Sequence, residues 1–309
     1  MYRILTDQDL EELLPFKNAI DVVEKAICAK AEGKLLAPPR FSVGPKDGSL
    51  VFTAGSEMKY FHTIGFRVYD RFPSGSPDRT QLVVVFDNRT GAFKGLVIGK
   101  HIGAIRTAAI NAVAVKHMAR TNVKYLGILG TGFQARFHAQ AIAAVRHFEA
   151  ARVYSPTKSH REAFAKEMSL KVGIPFEAEE SAREVVRQSD VLLCATTSHD
   201  PVFHADWLKA GVHINTIGPK YRNKHELPLE AAQRSQVIAT DSLEQASSYD
   251  KPYFLSDRSE WERIVELGNI VLGIAKGRGS DEDITLFCSV GLSGTEVVIA
   301  NEALRLAAE

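Results

Sequence analysis

Residues Tyr125 to His138 read Tyr-Leu-Gly-Ile-Leu-Gly-Thr-Gly-Phe-Gln-Ala-Arg-Phe-His, an apolar run that feeds directly into Gly-x-Gly-x-x-Ala and then into helical periodicity. Strand, fingerprint and helix in this register predict the cradle of a dinucleotide pyrophosphate. Gly130 allows the tight strand-to-helix turn, Gly132 lets the backbone approach the pyrophosphate without a Cβ in the way, and Ala135 allows the helix to lie close on the strand. Phe133 and Gln134 open that helix, where free N–H groups and the positive end of the dipole meet an anion.

The rest of the chain has to accommodate this unit. With 309 residues, 45% of them hydrophobic, it exceeds the usual size of one compact domain, so two are expected. Lys and Arg number 38 against 37 Asp and Glu, a net charge of +1, which leaves no whole-chain footprint for nucleic acid or an anionic membrane and favours a small-molecule partner. Cys28, Cys194 and Cys288 are odd in number and set in apolar patterns, as reduced core thiols are. The N-terminal residues lack the apolar region of a signal peptide, and no apolar run approaches the ~18 residues of a membrane span, so a cytoplasmic location is expected.

Thr6 with Asp9 reads as a capping box for a short first helix, and a second helix runs from about Phe16 to Glu32. Extended segments follow at Arg40–Val43, Leu50–Ala54, Tyr60–Tyr69 and Gln81–Phe86, with a further strand to Ile98 after the turn at 87–91, an antiparallel α+β pattern. His101 to Met118 is Ala-rich and helical. From Lys124 strand and helix alternate, with strands at Tyr125–Leu129, Ala151–Tyr154, Val191–Ala195, His213–Ile217 and Gln236–Ala239, the pattern of a doubly wound parallel sheet of Rossmann type. The piece from Ile284 through Gly291 into a last helix is expected to return to the first domain. The fold class is thus α/β, a Rossmann sheet over 119–292 plus an α+β substrate-binding and dimerisation domain over 1–118 completed by 293–309.

A Rossmann site for NAD usually presents Asp or Glu at the end of the second strand. Here the chain reads Tyr154-Ser155-Pro156-Thr157-Lys158-Ser159-His160-Arg161. Hydroxyls from Ser155 and Thr157 with cations from Lys158 and Arg161 suit a 2′-phosphate, which favours NADP(H) over NAD(H).

Several segments together resemble the ornithine cyclodeaminase and mu-crystallin family, which includes ketimine reductases, alanine dehydrogenases of archaeal type and cyclodeaminases. They are Ala37-Pro38-Pro39-Arg40, Val85-Phe86-Asp87 with Thr90-Gly91, Ile105-Arg106-Thr107-Ala108-Ala109, the fingerprint, Ala195-Thr196-Thr197-Ser198, and Asp283 to Phe287 leading to Gly291. The resemblance implies a homodimer built through the α+β domain, a substrate carboxylate clamped by Arg40 and Arg106, and cofactor contacts at Thr107, Thr196, Thr197, Ser198, Gly218 and Gly291. A guanidinium fork matches a carboxylate bidentately, and an unpaired Arg106 in an apolar helix pattern would be expensive, so it should be paired or face a ligand. Glu296 lies where the family often has an acid.

Two departures from the family pattern bear on chemistry. Arg67, in Gly65-Phe66-Arg67, stands where a catalytic lysine is usual, and Lys220, in Gly218-Pro219-Lys220, stands where cyclodeaminases carry an aspartate. Arginine holds an anion but does not relay protons, so Arg67 reads as a binder at the catalytic position. Lys220, near Arg222 and Lys224, is expected to make the pocket more positive and, with its pKa lowered by those cations, to be the candidate proton donor; Lys59 is a further cation near the substrate segment. The leading expectation is an NAD(P)H-dependent imine reductase or amino acid dehydrogenase acting on a small carboxylated imine or keto acid, including dicarboxylates. The alternatives are a redox-neutral cyclodeaminase or dehydratase with tightly bound NAD, and a ligand-binding protein of crystallin type. No His-Glu-x-x-His or Cys/His cluster points to a metal, and no Gly-x-Ser-x-Gly elbow is present.

Overall fold

The computed structural model describes residues 2–73 and 80–309. The chain forms two compact units, residues 1–109 with 291–309 and residues 110–290. The first contains β1 (Arg3–Leu5), α1 (Asp7–Leu13), α2 (Phe16–Ala31), β2 (Leu35–Leu36), β3 (Phe41–Val43), β4 (Leu50–Glu57), β5 (Thr63–Asp70), β6 (Gln81–Asp87) and β7 (Phe93–Gly99); α3 (His101–Met118) leads out of it. The second contains β8 (Tyr125–Leu129), α4 (Phe133–Ala143), β9 (Ala150–Tyr154), α5 (Lys158–Val172), β10 (Phe176–Ala178), α6 (Ala182–Gln188), β11 (Val191–Cys194), β12 (His213–Thr216), β13 (Lys220–Tyr221), β14 (Lys224–His225), α7 (Leu229–Arg234), β15 (Val237–Thr240), α8 (Leu243–Ser247), β16 (Ile264–Glu266), α9 (Leu267–Val271) and β17 (Thr285–Cys288), before α10 (Thr295–Leu306) rejoins the first.

In the first unit the capping box forms in full: Asp9 accepts from the Thr6 amide at 2.7 Å while the Thr6 side chain accepts from the Asp9 amide. The sheet runs β1-β7-β6-β5-β4-β2 with β3 also on β4; its central strands are antiparallel, and β1 joins β7 in parallel. Helices do not open the chain, as expected from the sequence, because Arg3–Leu5 takes the sheet edge first; three residues are too few for a period to show. Side chains alternate across the strands. Val51, Thr53, Arg67, Val83 and Val85 are buried on the face that receives α10, whereas Ile64, Phe66 and Leu82 lie on the other face, each 37–43% exposed.

The second unit is an eight-stranded, all-parallel sheet in the order β10-β9-β8-β11-β12-β17-β15-β16. Its strands are apolar throughout because both faces are covered. Ile142, Phe164 and Met168 lie in one core and Leu192, Ile214 and Phe203 in the other, each worth about 1.5–3 kcal/mol of burial. The strand at the end of the chain corrects the sequence expectation: β17 inserts between β12 and β15 of this sheet, and only α10 returns to the first unit. Strand order reverses between β8 and β11, the switch point at which open α/β sheets bind ligands beyond their strand ends.

Candidate active site

The fingerprint sits at that switch point. Gly130 follows β8 with φ +105°, and a Cβ there would lie 2.3 Å from the Ala195 carbonyl oxygen, so both conformation and space require glycine. A Cβ on Gly132, the residue before α4, would meet nothing within 4 Å and would project into open space. That open space is a cleft of about 400 Å³ lined by Gly130, Thr131, Gly132, Tyr154, Ser155, Pro156, Thr196, Thr197 and Val202. Ala135 is fully buried beneath it, and Phe133 is 41% exposed at the start of α4. The Gln134 side-chain carbonyl is buried without a hydrogen-bond partner. A glycine lip, an uncapped helix start and an unfilled acceptor together fit a dinucleotide phosphate and its ribose.

Arg136, not singled out as a site residue from the sequence, braces the loop by donating to the carbonyls of Thr131 at 2.6 Å and Gly132 at 3.1 Å, with Glu167 at 2.8 Å holding its other edge. Occupied carbonyls leave the loop's amides to the ligand.

At the end of β9, Ser155 is buried and its hydroxyl donates to the Thr157 carbonyl at 3.4 Å; Thr157 is exposed before α5. Lys158 extends into solvent, 3.8 Å from Glu162. Arg161 differs from the sequence expectation of a free cation. Its guanidinium is buried, donates to the Ser155 carbonyl at 3.3 Å and pairs with Glu180 at 3.0 Å, so it braces the turn.

The segments after β11 and β12 are tied together by Glu226, fully buried and also unforeseen. One carboxylate oxygen accepts from the Thr196 amide at 2.8 Å and the Thr196 hydroxyl at 2.7 Å; the other accepts from the Thr216 hydroxyl at 2.7 Å and the Gly218 amide at 2.6 Å. Ser198 continues the chain of bonds, its amide donating to the Thr196 hydroxyl at 3.2 Å.

Lys220 lies beside this hub and corrects a sequence expectation. It is 3% exposed and donates to the Gly218 carbonyl at 2.9 Å. Burial lowers its pKa, opposed by the nearby Glu226 and Asp241 carboxylates, so its charged neighbours are acids and not the cations Arg222 and Lys224. Arg222 is taken up by Asp257. Lys220 therefore closes its own turn and offers no proton donor or extra positive charge to a ligand.

In the first unit the arginines form a buried triad with Glu296, which the first turn of α10 presents. Arg67 Nη1 lies 2.8 Å and Arg106 Nη2 3.1 Å from the same carboxylate oxygen, Glu296 Oε1. Arg67 also donates from Nε to Gln81 at 2.9 Å and stacks over the Tyr69 ring at 4.2 Å. Burial raises the Glu296 pKa, but Arg106 and Arg67 outweigh it and hold the carboxyl below its usual range. The triad carries a net charge of +1. Arg106 Nε and Nη1 and Glu296 Oε2 are buried with no hydrogen-bond partner. A Cβ at Gly291, whose φ is +94°, would stand 3.0 Å from Arg106 Nη1, so glycine keeps that edge of the guanidinium clear.

The other substrate candidates divide. Arg40, part-buried, immediately precedes β3. Lys59 is paired with Glu32 at 2.5 Å, and that bond raises its pKa, so it is a surface ion pair with its proton held firmly. Thr107 donates to the Gly103 carbonyl at 2.7 Å within α3.

A glycine-lipped cleft at the switch point of a parallel sheet defines a dinucleotide-binding protein of Rossmann type. The chain belongs to the ornithine cyclodeaminase/mu-crystallin family, whose sequence profile matches residues 2–304. It is 34% identical over 306 residues to a Δ1-pyrroline-2-carboxylate reductase of Bacillus cereus (strain ATCC 10987 / NRS 248), covering 94% of this chain and 93% of that one. The structure of Thermococcus litoralis Δ1-pyrroline-2-carboxylate reductase in complex with NADH and L-proline superposes with a TM-score of 0.90 at 33% identity, covering 99% and 97% of the two chains. An archaeal alanine dehydrogenase dimer with bound NAD gives a TM-score of 0.89 at 28% identity, covering 99% and 96%.

Proposed function

We propose that this protein is an NAD(P)H-dependent reductase of small carboxylated imines, with a cyclic imino acid such as Δ1-pyrroline-2-carboxylate as its substrate. The observation that carries the reading is the open edge of Arg106. Two donor nitrogens of a buried guanidinium without partners are costly unless a ligand fills them, and Nε with Nη1 is the bidentate edge that a carboxylate matches. The triad's single net positive charge balances one carboxylate, while Arg40, if it closes over the substrate, adds the charge that an imino dicarboxylate requires. A bound dihydronicotinamide supplies a hydride to the imine carbon. The protein's part is to fix the carboxylate, and through it the orientation of the neighbouring carbon, on Arg106. Arg67 cannot give up a proton, and Lys220 is tied to its own turn; an imine protonated in water arrives as the iminium, so no strong general acid is needed.

NADPH is proposed as the preferred reductant, on the absence of an acid after β9 and the exposed Thr157 and Lys158 there. The homodimer is proposed to form through the outer face of the first unit's sheet. Phe41 stacks on Phe52 at 5.3 Å, and with Ile64, Phe66 and Leu82 they form an apolar surface of the kind obligate interfaces use.

The test is a reductase assay. NADPH with Δ1-pyrroline-2-carboxylate should lose its absorbance stoichiometrically with proline formed; NADH should do so with a lower kcat/KM. Turnover of ornithine with no net change in nicotinamide would overturn the reading in favour of a cyclodeaminase, and coenzyme binding with no turnover on a panel of carboxylated imines would make the protein a ligand binder.

A further inference from the structure

Thr53 belongs to the inward face of β4, directly across the ladder from Arg67. It is 5% exposed, and its hydroxyl has no hydrogen-bond partner. Directly paired residues share a face with Cβ atoms about 4.5–5.5 Å apart, so the hydroxyl neighbours the Arg67–Glu296–Arg106 triad. A buried hydroxyl left unpaired destabilises the protein. Valine of nearly the same shape would remove that penalty, and valine is the residue at positions 51, 83 and 85 of the same face.

The triad lacks one kind of group. Guanidinium groups only donate hydrogen bonds and an ionised carboxylate only accepts them. During reduction the substrate nitrogen passes from imine or iminium to amine, and its need changes between donor and acceptor. A hydroxyl does both by rotating about its C–O bond. Resting on the imine-reductase reading, we propose that Thr53 is a substrate-binding residue whose hydroxyl is the hydrogen-bond partner of the substrate nitrogen, while Arg106 takes the carboxylate. Thr53 thereby helps select substrates that carry nitrogen beside the carboxyl-bearing carbon.

The test uses the holoenzyme and the variants T53V and T53S. In T53V the coenzyme-free melting temperature should rise by about 2 °C as the unpaired hydroxyl is removed, while kcat/KM for Δ1-pyrroline-2-carboxylate falls by roughly tenfold or more and the KM for NADPH stays at its wild-type value. T53S, which keeps the hydroxyl, should hold kcat/KM within about threefold of wild type. If T53V does not fold, T53A carries the kinetic comparison with T53S. An active wild type with unchanged T53V kinetics overturns the Thr53 inference alone, as does an equal loss in T53V and T53S accompanied by lower melting temperatures, which marks a packing role. A wild type that reduces none of the carboxylated imines overturns the functional reading and this inference with it.

Discussion

Two buried glutamates sit in opposite electrostatic situations. Glu226 in the parallel sheet unit has both oxygens filled by four donors from Thr196, Thr216 and Gly218, all within 2.8 Å. Glu296 in the α+β unit shares one oxygen between two arginines and leaves the other bare, beside two bare nitrogens of Arg106. A saturated network fixes backbone, here the two strand ends that border the coenzyme cleft. An unsaturated one is tolerated in a buried place when a ligand completes it. The contrast separates the part of the protein that holds shape from the part that waits for substrate.

Breaking the unsaturated side should have the largest kinetic effect. Arg106→Ala is expected to lower kcat/KM for a carboxylated imine by about 10²-fold or more while coenzyme affinity stays within about twofold, because only the carboxylate contact is lost. Steady-state kinetics with coenzyme titration checks both halves. Breaking the saturated side should do the reverse: Glu226→Leu leaves four donors unpaired, costs about 2 kcal/mol or more of stability and weakens NADPH binding by about tenfold. Denaturant unfolding and calorimetric titration would show it. If both variants lose activity and coenzyme binding alike, the division between the two glutamates fails.

A pH series sharpens the same point within the parallel sheet. His213 is buried between Thr285, 2.8 Å from Nδ1, and Asn215, 2.9 Å from Nε2, and burial with the nearby Arg278 pushes its pKa down to about 3. The folded value lies below the ordinary 6.5 of the unfolded chain, so the unfolded state binds the extra proton first. The contribution is complete above pH 6.5 and is lost as the pH falls toward 3, with a slope that approaches about 1.4 kcal/mol per unit. Urea unfolding midpoints across that window test it; a flat profile would contradict neutral burial of His213. The smallest effect is expected at Lys158, exposed at the turn after β9: Lys158→Ala should raise the KM for NADPH about threefold and leave that for NADH unchanged.

Much of this organisation was legible in the sequence because it is local. The fingerprint lies within one strand–turn–helix, five parallel strands announce themselves as short apolar runs, and Arg106 stands out as a charge in an apolar helical stretch. What was not legible depends on distant partners. Glu226 meets groups 8 to 30 residues away, and in the sequence it is one acid after a histidine. Lys220 was expected to sit among the cations nearest in sequence, but folding surrounds it with Glu226 and Asp241. Thr53 looks like an ordinary strand threonine until the β4–β5 register sets it against Arg67. The three-residue strands β1, β10 and β16 are too short to carry a period.

The most direct measurement is calorimetric titration of the coenzyme-loaded protein with pyrrole-2-carboxylate, a planar mimic of the imine, beside its uncharged amide, pyrrole-2-carboxamide. The carboxylate is expected to bind at least about 10²-fold more tightly, and Arg106→Ala to erase the difference. Equal affinity for the two ligands in the wild-type protein would contradict the assignment of Arg106 as the group that holds the substrate.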